Sequence, residues 1–153
     1  MSSTQVRQLI DALLHERLIT DEQQTQLQDQ NFSDLKSAET YIRRVIYIPS
    51  EKWAQLASKV INVPYMNLIG KAVGATILNT IPQDLAENYQ IVVFEREGGV
   101  MKVGMADPTN FKAMEAVEFI ARKAGVRTQY FIISNESFRA AVKQYESLGE
   151  EVG

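Results

Sequence analysis

The sequence predicts an α+β protein, with a small N-terminal helical subdomain followed by a two-layer α/β sandwich that has a mixed sheet. Residues 1–62 contain four helical patterns and no strand pattern. Residues 63–147 alternate extended and helical patterns in the order β-α-ββαβα, which is typical of a sheet covered by helices. We place the boundary at the Asn-Val-Pro segment, residues 62–64, and expect the last residues, 148–153, to be a frayed tail.

The helical subdomain is predicted to contain two helix–bridge–helix units, which form a weak internal repeat. In the first unit, apolar residues recur on one face over residues 4–16, and Leu18-Ile19 forms the bridge. Thr20 and Gln23 have the spacing of a capping box, so a second helix is expected over residues 21–29.

The second unit repeats this order. Ser33 is expected to begin a helix that ends near Arg44, and Ile46-Tyr47-Ile48 is the second bridge. Ser50 is expected to cap a helix over residues 51–61, and Asn62 falls where a helix ends in the left-handed conformation.

The sandwich is organised around a predicted hairpin. The apolar runs over residues 91–94 and 100–105 are separated by Gly98-Gly99, which supplies the positive φ that a two-residue hairpin turn requires. Alternation places Met101, Val103 and Met105 on one face of the second strand. Asp-Pro at 107–108 then ends that strand.

Helices and one further strand surround the hairpin. We expect an extended segment over 63–68, a short helix over 74–78 and a helix from Pro82 to Tyr89. Thr109 or Asp107 is expected to cap a helix over 110–124, followed by a strand over 126–133 and a helix from Ser134 to about residue 147. The predicted apolar side of the 110–124 helix comprises Phe111, Met114, Val117, Phe119, Ile120 and Ala121.

Composition excludes several classes of function. The net charge is −3 and no block of like charges occurs, so no nucleic-acid partner is expected. There is no cysteine, which excludes disulfides and thiolate metal sites. The apolar runs are far shorter than the roughly 20 residues of a membrane span, and the N-terminus lacks the order of a signal peptide. We therefore expect a cytoplasmic protein without direct membrane insertion.

No group of residues indicates catalysis, a metal site or a cofactor. His15 is the only histidine, and no oriented partner or second ligand accompanies it. Gly70-Lys71 lacks the preceding glycine and the following Ser or Thr of a phosphate-binding loop, because those positions are Tyr65 and Ala72. We therefore expect a protein that is not an enzyme, with no catalytic residue and no metal ligand.

Two features remain as candidates for binding. Arg43 and Arg44 are a candidate ligand-binding pair, since two guanidinium groups can hold a phosphate, although such pairs are common on helices. Trp53 is expected to be a core or interface residue, not a platform for stacking a ligand. It belongs to a small helical unit with little core of its own, which favours the interface role.

Three segments occur in the chain in this order: PYMNL at 64–68, PQDLAENY at 82–89 and GMADP at 104–108. This ordered set resembles the N-terminal domain of type II secretion and type IV pilus assembly ATPases, the general secretory pathway protein E N-terminal domain family. The family has PY-x-D-L, P-x-x-LA-x-x-Y and an ADP turn in this order. The resemblance covers roughly residues 47 to 145 and implies the same fold.

The helical subdomain resembles this family more loosely, through paired repeats that bind cyclic di-GMP in family members. The repeat's arginine and its two glycines fall on Gln8, Ile10 and Arg17 in the first copy. In the second copy they fall on Ser37, Glu39 and Ile46. Because all of these positions are substituted, the resemblance argues against cyclic di-GMP as a ligand.

The resemblance implies a non-catalytic interaction and regulatory module. It would dock an assembly ATPase to the cytoplasmic part of an inner-membrane secretion or pilus platform protein, or to an ATPase core, and so lie peripheral to the inner membrane. We expect the contact on apolar side chains that short helices cannot bury alone, namely Leu9, Leu13, Leu18, Tyr47 and Trp53. The alternative is a cyclic di-GMP sensing domain with a degenerate motif, favoured by the repeat and by Arg43 and Arg44.

Overall fold

The computed structural model describes residues 4–152, with side chains described as far as Glu146. The chain divides into two compact units, residues 1–62 and 63–153, which we call the helical unit and the sheet unit.

The helical unit consists of four helices around one core. They are α1 (Thr4–His15), α2 (Asp21–Gln28), α3 (Leu35–Val45) and α4 (Ser50–Ile61). The core is built from apolar residues of all four helices and of the segments between them, including Val6, Leu9, Ile10, Leu13, Ile19, Leu27, Phe32, Ala38, Ile42, Ile48, Trp53 and Leu56.

The helix ends confirm part of the predicted capping. Thr20 and Gln23 form the expected capping box, and Asn62 ends α4 with a left-handed φ of 58°. The cap of α3 is Asp34, not Ser33, because the Asp34 carboxylate accepts the main-chain N–H of Ser37. Ser50 does not cap α4: Pro49 precedes the first turn without a side-chain hydrogen bond, and Ser50 is already helical.

The sheet unit contains the predicted mixed sheet. Its elements are α5 (Ala75–Leu78), α6 (Gln83–Tyr89), β1 (Ile91–Glu97), β2 (Val100–Met105), α7 (Phe111–Ala124), β3 (Arg127–Ile132) and α8 (Asn135–Val152). The strand order is β1-β2-β3, in which β1 and β2 are antiparallel and β2 and β3 are parallel. These observations confirm the α+β class.

The expected extended segment over 63–68 is shorter than a strand. It forms a single parallel bridge between Tyr65 and Ile132, with hydrogen bonds from Ile132 N to Pro64 O (2.8 Å) and from Met66 N to Ile132 O (3.0 Å). Leu68 is then held by the side chain of Ser137, whose Oγ accepts its N–H at 2.9 Å. The segment is therefore fixed to β3 at one point and to α8 at another.

The hairpin has the predicted geometry. Gly98 and Gly99 have φ values of 60° and 76°, and Met101, Val103 and Met105 are fully buried. Gly104 lies against Ile133, since an added Cβ would stand 2.9 Å from Ile133 Cγ2. A larger residue at 104 would therefore displace a buried side chain.

A buried tyrosine joins α8 to the loops before β1. The Tyr145 hydroxyl lies 2.8 Å from Leu78 O and 2.7 Å from Ile81 O, so these two buried carbonyls share its proton. Burial raises the pKa of Tyr145 to about 12. The hydroxyl is thus a protonated donor inside the core at neutral pH.

The ends and exposed face of α7 differ from the prediction. Asn110 is the N-cap, since its side chain accepts the N–H of Ala113, whereas the Asp107 carboxylate accepts from Thr109 within the preceding turn. Phe111 and Phe119 were predicted inward but are 73% and 53% exposed. The face against the sheet is instead occupied by the small and medium side chains of Ala113, Val117 and Ala121.

The last helix is longer than predicted. The backbone of α8 is helical as far as Val152, beyond the expected end near residue 147. The side chains of residues 147–152 and the whole of Gly153 lie outside the described part of the chain, and the predicted frayed tail over 148–153 falls on these residues. No helix in the described part is both long enough and apolar enough to cross a bilayer.

Candidate docking surface

Three of the five predicted interaction residues lie in the interior. Leu9 and Leu13 are fully buried and Trp53 is 5% exposed. The expectation that short helices leave these side chains uncovered is wrong, because the four helices pack together and enclose them. These residues stabilise the helical unit and cannot reach a partner while it is folded.

The two bridge residues have different environments. Leu18 is half-buried and packs against the core of the helical unit, whereas the side chain of Tyr47 is 86% exposed. Val45 is 56% exposed. Val45 and Tyr47 are thus two exposed side chains at and just after the end of α3.

The two candidate ligand-binding arginines are not available as a pair. Arg43 is half-buried and donates to Glu39 Oε2 at 3.2 Å and to Ser50 Oγ at 2.8 Å. Arg44 is exposed. Because the Arg43 guanidinium already holds α3 and α4 together, only Arg44 faces solvent beside the exposed Val45.

A groove that sequence reasoning missed lies between α2 and α3. It has a volume of about 260 Å3 and is lined by Gln23, Gln26, Leu27, Gln30, Tyr41, Val45 and Ile46. The glutamines of α2 are typical of an ordinary solvent-facing surface. Nothing in the sequence pattern predicts that they lie beside Tyr41. We define the docking patch as Arg44, Val45 and Tyr47 together with this groove.

The first bridge has a backbone conformation typical of glycine at a position where the family's repeat has glycine. Arg17 has a φ of 60°, which is the left-handed region. Its N–H donates to Leu14 O, and the N–H of Leu18 donates to Leu13 O, both at 2.9 Å. This is the Schellman pattern that usually ends in glycine.

The second bridge does not share this geometry. Ile46, at the matching position, is extended with a φ of −132°. The repeat's arginine positions are filled by exposed Gln8 and by Ser37, whose hydroxyl belongs to the cap of α3. The two units therefore repeat in element order and differ in the conformation of the bridge.

The carboxylate of Asp34 has a structural role at the start of α3. The pKa of Asp34 is lowered because its carboxylate accepts the main-chain N–H of Ser37 and a bond from its hydroxyl. Across residues 4–146, no three or more His, Asp or Glu side chains come together in a way that would hold a metal ion.

Comparison with known proteins identifies the relatives of this chain. A family model described as the MshEN domain matches residues 61–152. The type IV pilus assembly ATPase PilB of Myxococcus xanthus (strain DK1622) is 27% identical over 135 residues, which are 88% of this chain and 23% of that protein. The chain thus spans less than a quarter of the length of this curated relative.

Two solved structures share the fold. One, described as MshE with cdg, has a TM-score of 0.69 at 18% identity and covers 90% of this chain and 97% of its own. The other, the N-terminal domain of XpsE, has a TM-score of 0.64 at 12% identity and covers 94% of this chain and 97% of its own. At these identities the likeness is one of fold.

Proposed function

Because this chain belongs to the MshEN domain family, the N-terminal domain of type II secretion and type IV pilus ATPases, we propose that it is a non-catalytic docking and regulatory module. It would connect such an ATPase to the cytoplasmic part of an inner-membrane platform protein, or to the ATPase core itself. No cofactor is part of this proposal. The curated relative is a pilus assembly ATPase, which supports this assignment to assembly machinery.

The observation that carries the proposal is the docking patch. Tyr47 is 86% exposed and Val45 is 56% exposed, beside a groove that can receive a side chain of the partner. Tyrosine and arginine are enriched among residues that dominate binding energy, and the exposed Arg44 directly precedes Val45 in the sequence. Glutamine and tyrosine side chains in the groove supply hydrogen bonds that fix the orientation of an inserted side chain.

Affinity measurements on single variants test the proposal. The full chain is titrated with cytoplasmic fragments of the platform proteins encoded in the same genome. If the patch is the contact, Tyr47→Ala should weaken binding by about 2 kcal/mol, or roughly 30-fold. Ile69→Ala is the matched control, because Ile69 is an exposed apolar side chain of the sheet unit. Full affinity in a Val45→Ala/Tyr47→Ala double variant would contradict the docking patch.

Trp53 separates binding from folding in the same experiment. Since Trp53 is buried, Trp53→Ala should destabilise the helical unit by about 3–5 kcal/mol and lower its melting temperature. Tyr47→Ala should leave the melting temperature within about 2 °C of the unchanged chain, because an exposed side chain contributes little to folding. A variant that loses affinity but keeps its melting temperature therefore identifies a direct contact at the docking patch.

Binding of cyclic di-GMP is a second candidate function. It is favoured by the shared fold with the structure described as MshE with cdg, and opposed by the substituted arginine and glycine positions. Calorimetry with cyclic di-GMP separates the two candidates. Heat that disappears in Arg44→Ala would support a ligand site at the patch, and no heat at millimolar dinucleotide would exclude it.

A further inference from the structure

The face of the sheet opposite α7 is exposed near the hairpin. Glu118 of α7 accepts hydrogen bonds from Thr128 Oγ1 and from the Tyr130 hydroxyl, so these two side chains of β3 lie on the α7 face. Because side chains alternate along a strand, the neighbouring residues of β3 lie on the opposite face. Strand pairing places six side chains there, all of them exposed or half-buried. We call them the hairpin face, and they are Glu95, Glu97, Val100, Lys102, Arg127 and Gln129.

The hairpin face consists of two rows that cross the sheet from β1 through β2 to β3. The rows are Glu97–Val100–Arg127 and Glu95–Lys102–Gln129. Each row has a carboxylate on β1 and a side chain that can donate hydrogen bonds on β3. The first row has an apolar side chain at its centre. The charge pattern is therefore opposite at the two edges of the sheet.

The two charges of the first row are available to a partner. Glu97 and Arg127 are both exposed, and within residues 4–146 neither side chain forms an ion pair. They stand two strand spacings apart, which is about 10 Å. In the second row, Lys102 Nζ lies 2.6 Å from Glu95 Oε2, so that charge is already matched. The hydrogen bond from Lys102 lowers the pKa of Glu95, and Lys71 in the loop before α5 adds a smaller effect.

A second copy of the same face is complementary to this pattern. If that copy is turned by 180° about an axis along β2, its β3 lies over β1 of the first copy. Each Glu97 then faces the Arg127 of the other copy, and the two Val100 side chains meet on the axis. The Lys102 side chains also lie near the axis, where their salt bridges with Glu95 reduce the repulsion. An axis across the strands would instead place like charges together.

The dimensions of the side chains fit this arrangement. Sheets that pack face to face lie about 10 Å apart with nearly aligned strands. Opposed glutamate and arginine side chains can bridge such a gap. The hairpin face also lies away from the point where the chain enters the sheet unit. That point is beside Ile132, whereas Arg127 is at the other end of β3, roughly 17 Å along the strand.

We propose that the hairpin face binds a second copy of the chain through a two-fold axis along β2, with two reciprocal ion pairs between Glu97 and Arg127. Two rows of three residues form a small interface, so the dimer should be weak, with a dissociation constant of about 0.1 mM or higher. Its exposed ion pairs should make it weaker in salt. This surface lies in the sheet unit and does not depend on the docking patch.

Sedimentation equilibrium of the full chain tests the association. We expect a monomer–dimer equilibrium at protein concentrations up to about 1 mM, with at least about threefold weaker association when the salt concentration is raised from 0.02 to 0.5 M. A chain that stays monomeric at 1 mM in low salt would overturn the proposal. Species larger than a dimer would also overturn it, because a two-fold contact closes on itself.

Charge reversal tests the reciprocal pairs. Glu97→Arg and Arg127→Glu should each weaken self-association at least about tenfold, because each places two pairs of like charges in contact. An equimolar mixture of the two variants should form a mixed dimer with about the affinity of the unchanged chain, because the two reversed charges then face each other. The double variant Glu97→Arg/Arg127→Glu should recover self-association for the same reason. A mixture that associates no better than the single variants would overturn the proposal.

A control pair separates this contact from a general effect of net charge. Glu115→Arg and Lys112→Glu make the same changes of sign on exposed positions of α7, on the other face of the sheet. Each should associate within about twofold of the unchanged chain, alone and in their mixture. Melting temperatures of all variants should stay close to that of the unchanged chain, since the four positions are exposed. If the control pair reproduces the loss and recovery, the assignment to the hairpin face is overturned.

Discussion

The left-handed residue that ends α1 allows a sharp test of backbone strain. Arg17 has a φ of 60°, and an L-residue in this region costs about 1–2 kcal/mol relative to right-handed helix. Glycine avoids this cost, but its greater freedom in the unfolded chain offsets roughly 0.5–1 kcal/mol. Arg17→Gly should therefore increase the free energy of unfolding of the helical unit by about 0.5–1 kcal/mol.

The assay is urea unfolding followed by tryptophan fluorescence. Trp53 is the only tryptophan of the chain and is buried in the helical unit, so its emission reports on that unit alone. Arg17→Ala is the control, because alanine removes the same exposed side chain and keeps the backbone cost. We expect Arg17→Ala to change stability by less than about 0.5 kcal/mol. If Arg17→Gly is no more stable than Arg17→Ala, the argument from the left-handed backbone is refuted.

Three further variants test the sheet unit. Glu118→Gln should lower stability at neutral pH, and the difference from the unchanged chain should shrink as pH falls below 4.5. The reason is that a carboxylate with a lowered pKa stabilises the fold only while it is ionised. Circular dichroism melts from pH 3 to pH 7 would show this, and a pH-independent difference would contradict it. Tyr145→Phe should cost about 1–3 kcal/mol in urea unfolding, because two buried carbonyls lose their donor, and a cost below about 0.5 kcal/mol would show that water replaces it. Gly104→Ala should lower the free energy of unfolding by about 1–3 kcal/mol, because the added methyl group overpacks against Ile133. In a double-mutant cycle this loss should be smaller when Ile133→Ala is also present, and strict additivity of the two changes would contradict a clash between residues 104 and 133.

The fold was largely predictable because period and turn chemistry are local signals. Gly98-Gly99, the capping box at Thr20 and the left-handed Asn62 each follow from the residue types at those positions, and the structure has all three. The cap of α3 was misplaced by one residue because Ser33 and Asp34 are both good caps. Only the three-dimensional course of the chain decides between neighbours of equal propensity.

The candidate site was less predictable because burial is a property of the packed unit. The apolar period of α7 includes Phe111 and Phe119, but the fully buried stripe of the helix is formed by Ala113, Val117 and Ala121, with Met114 and Ile120 packed beside it. An amphipathic pattern cannot show where that stripe ends. Trp53 differs from the prediction in the opposite sense. A large aromatic residue in a small unit indicates an interface, whereas the four packed helices bury this side chain in their core.

The pairing of residues 63–68 with β3 could not be predicted from the sequence. The segment is extended as expected, but its register on β3 places Tyr65 beside Ile132 and Pro64 opposite the Tyr130 carbonyl. Register depends on which residues of two distant segments meet, and neither segment specifies this alone. The bridge is therefore visible only in the folded chain.

The single bridge between Tyr65 and Ile132 has a mechanical consequence. A pull on the start of the segment over 63–68 loads the two hydrogen bonds at Ile132 and the packing of Met66 against the core before it reaches the buried Leu68. Two such hydrogen bonds contribute only about 1–3 kcal/mol together. Leu68 is the firmer anchor, because its side chain is buried and its N–H is held by Ser137. Local opening at the bridge is therefore expected at a lower free energy than unfolding of the sheet unit.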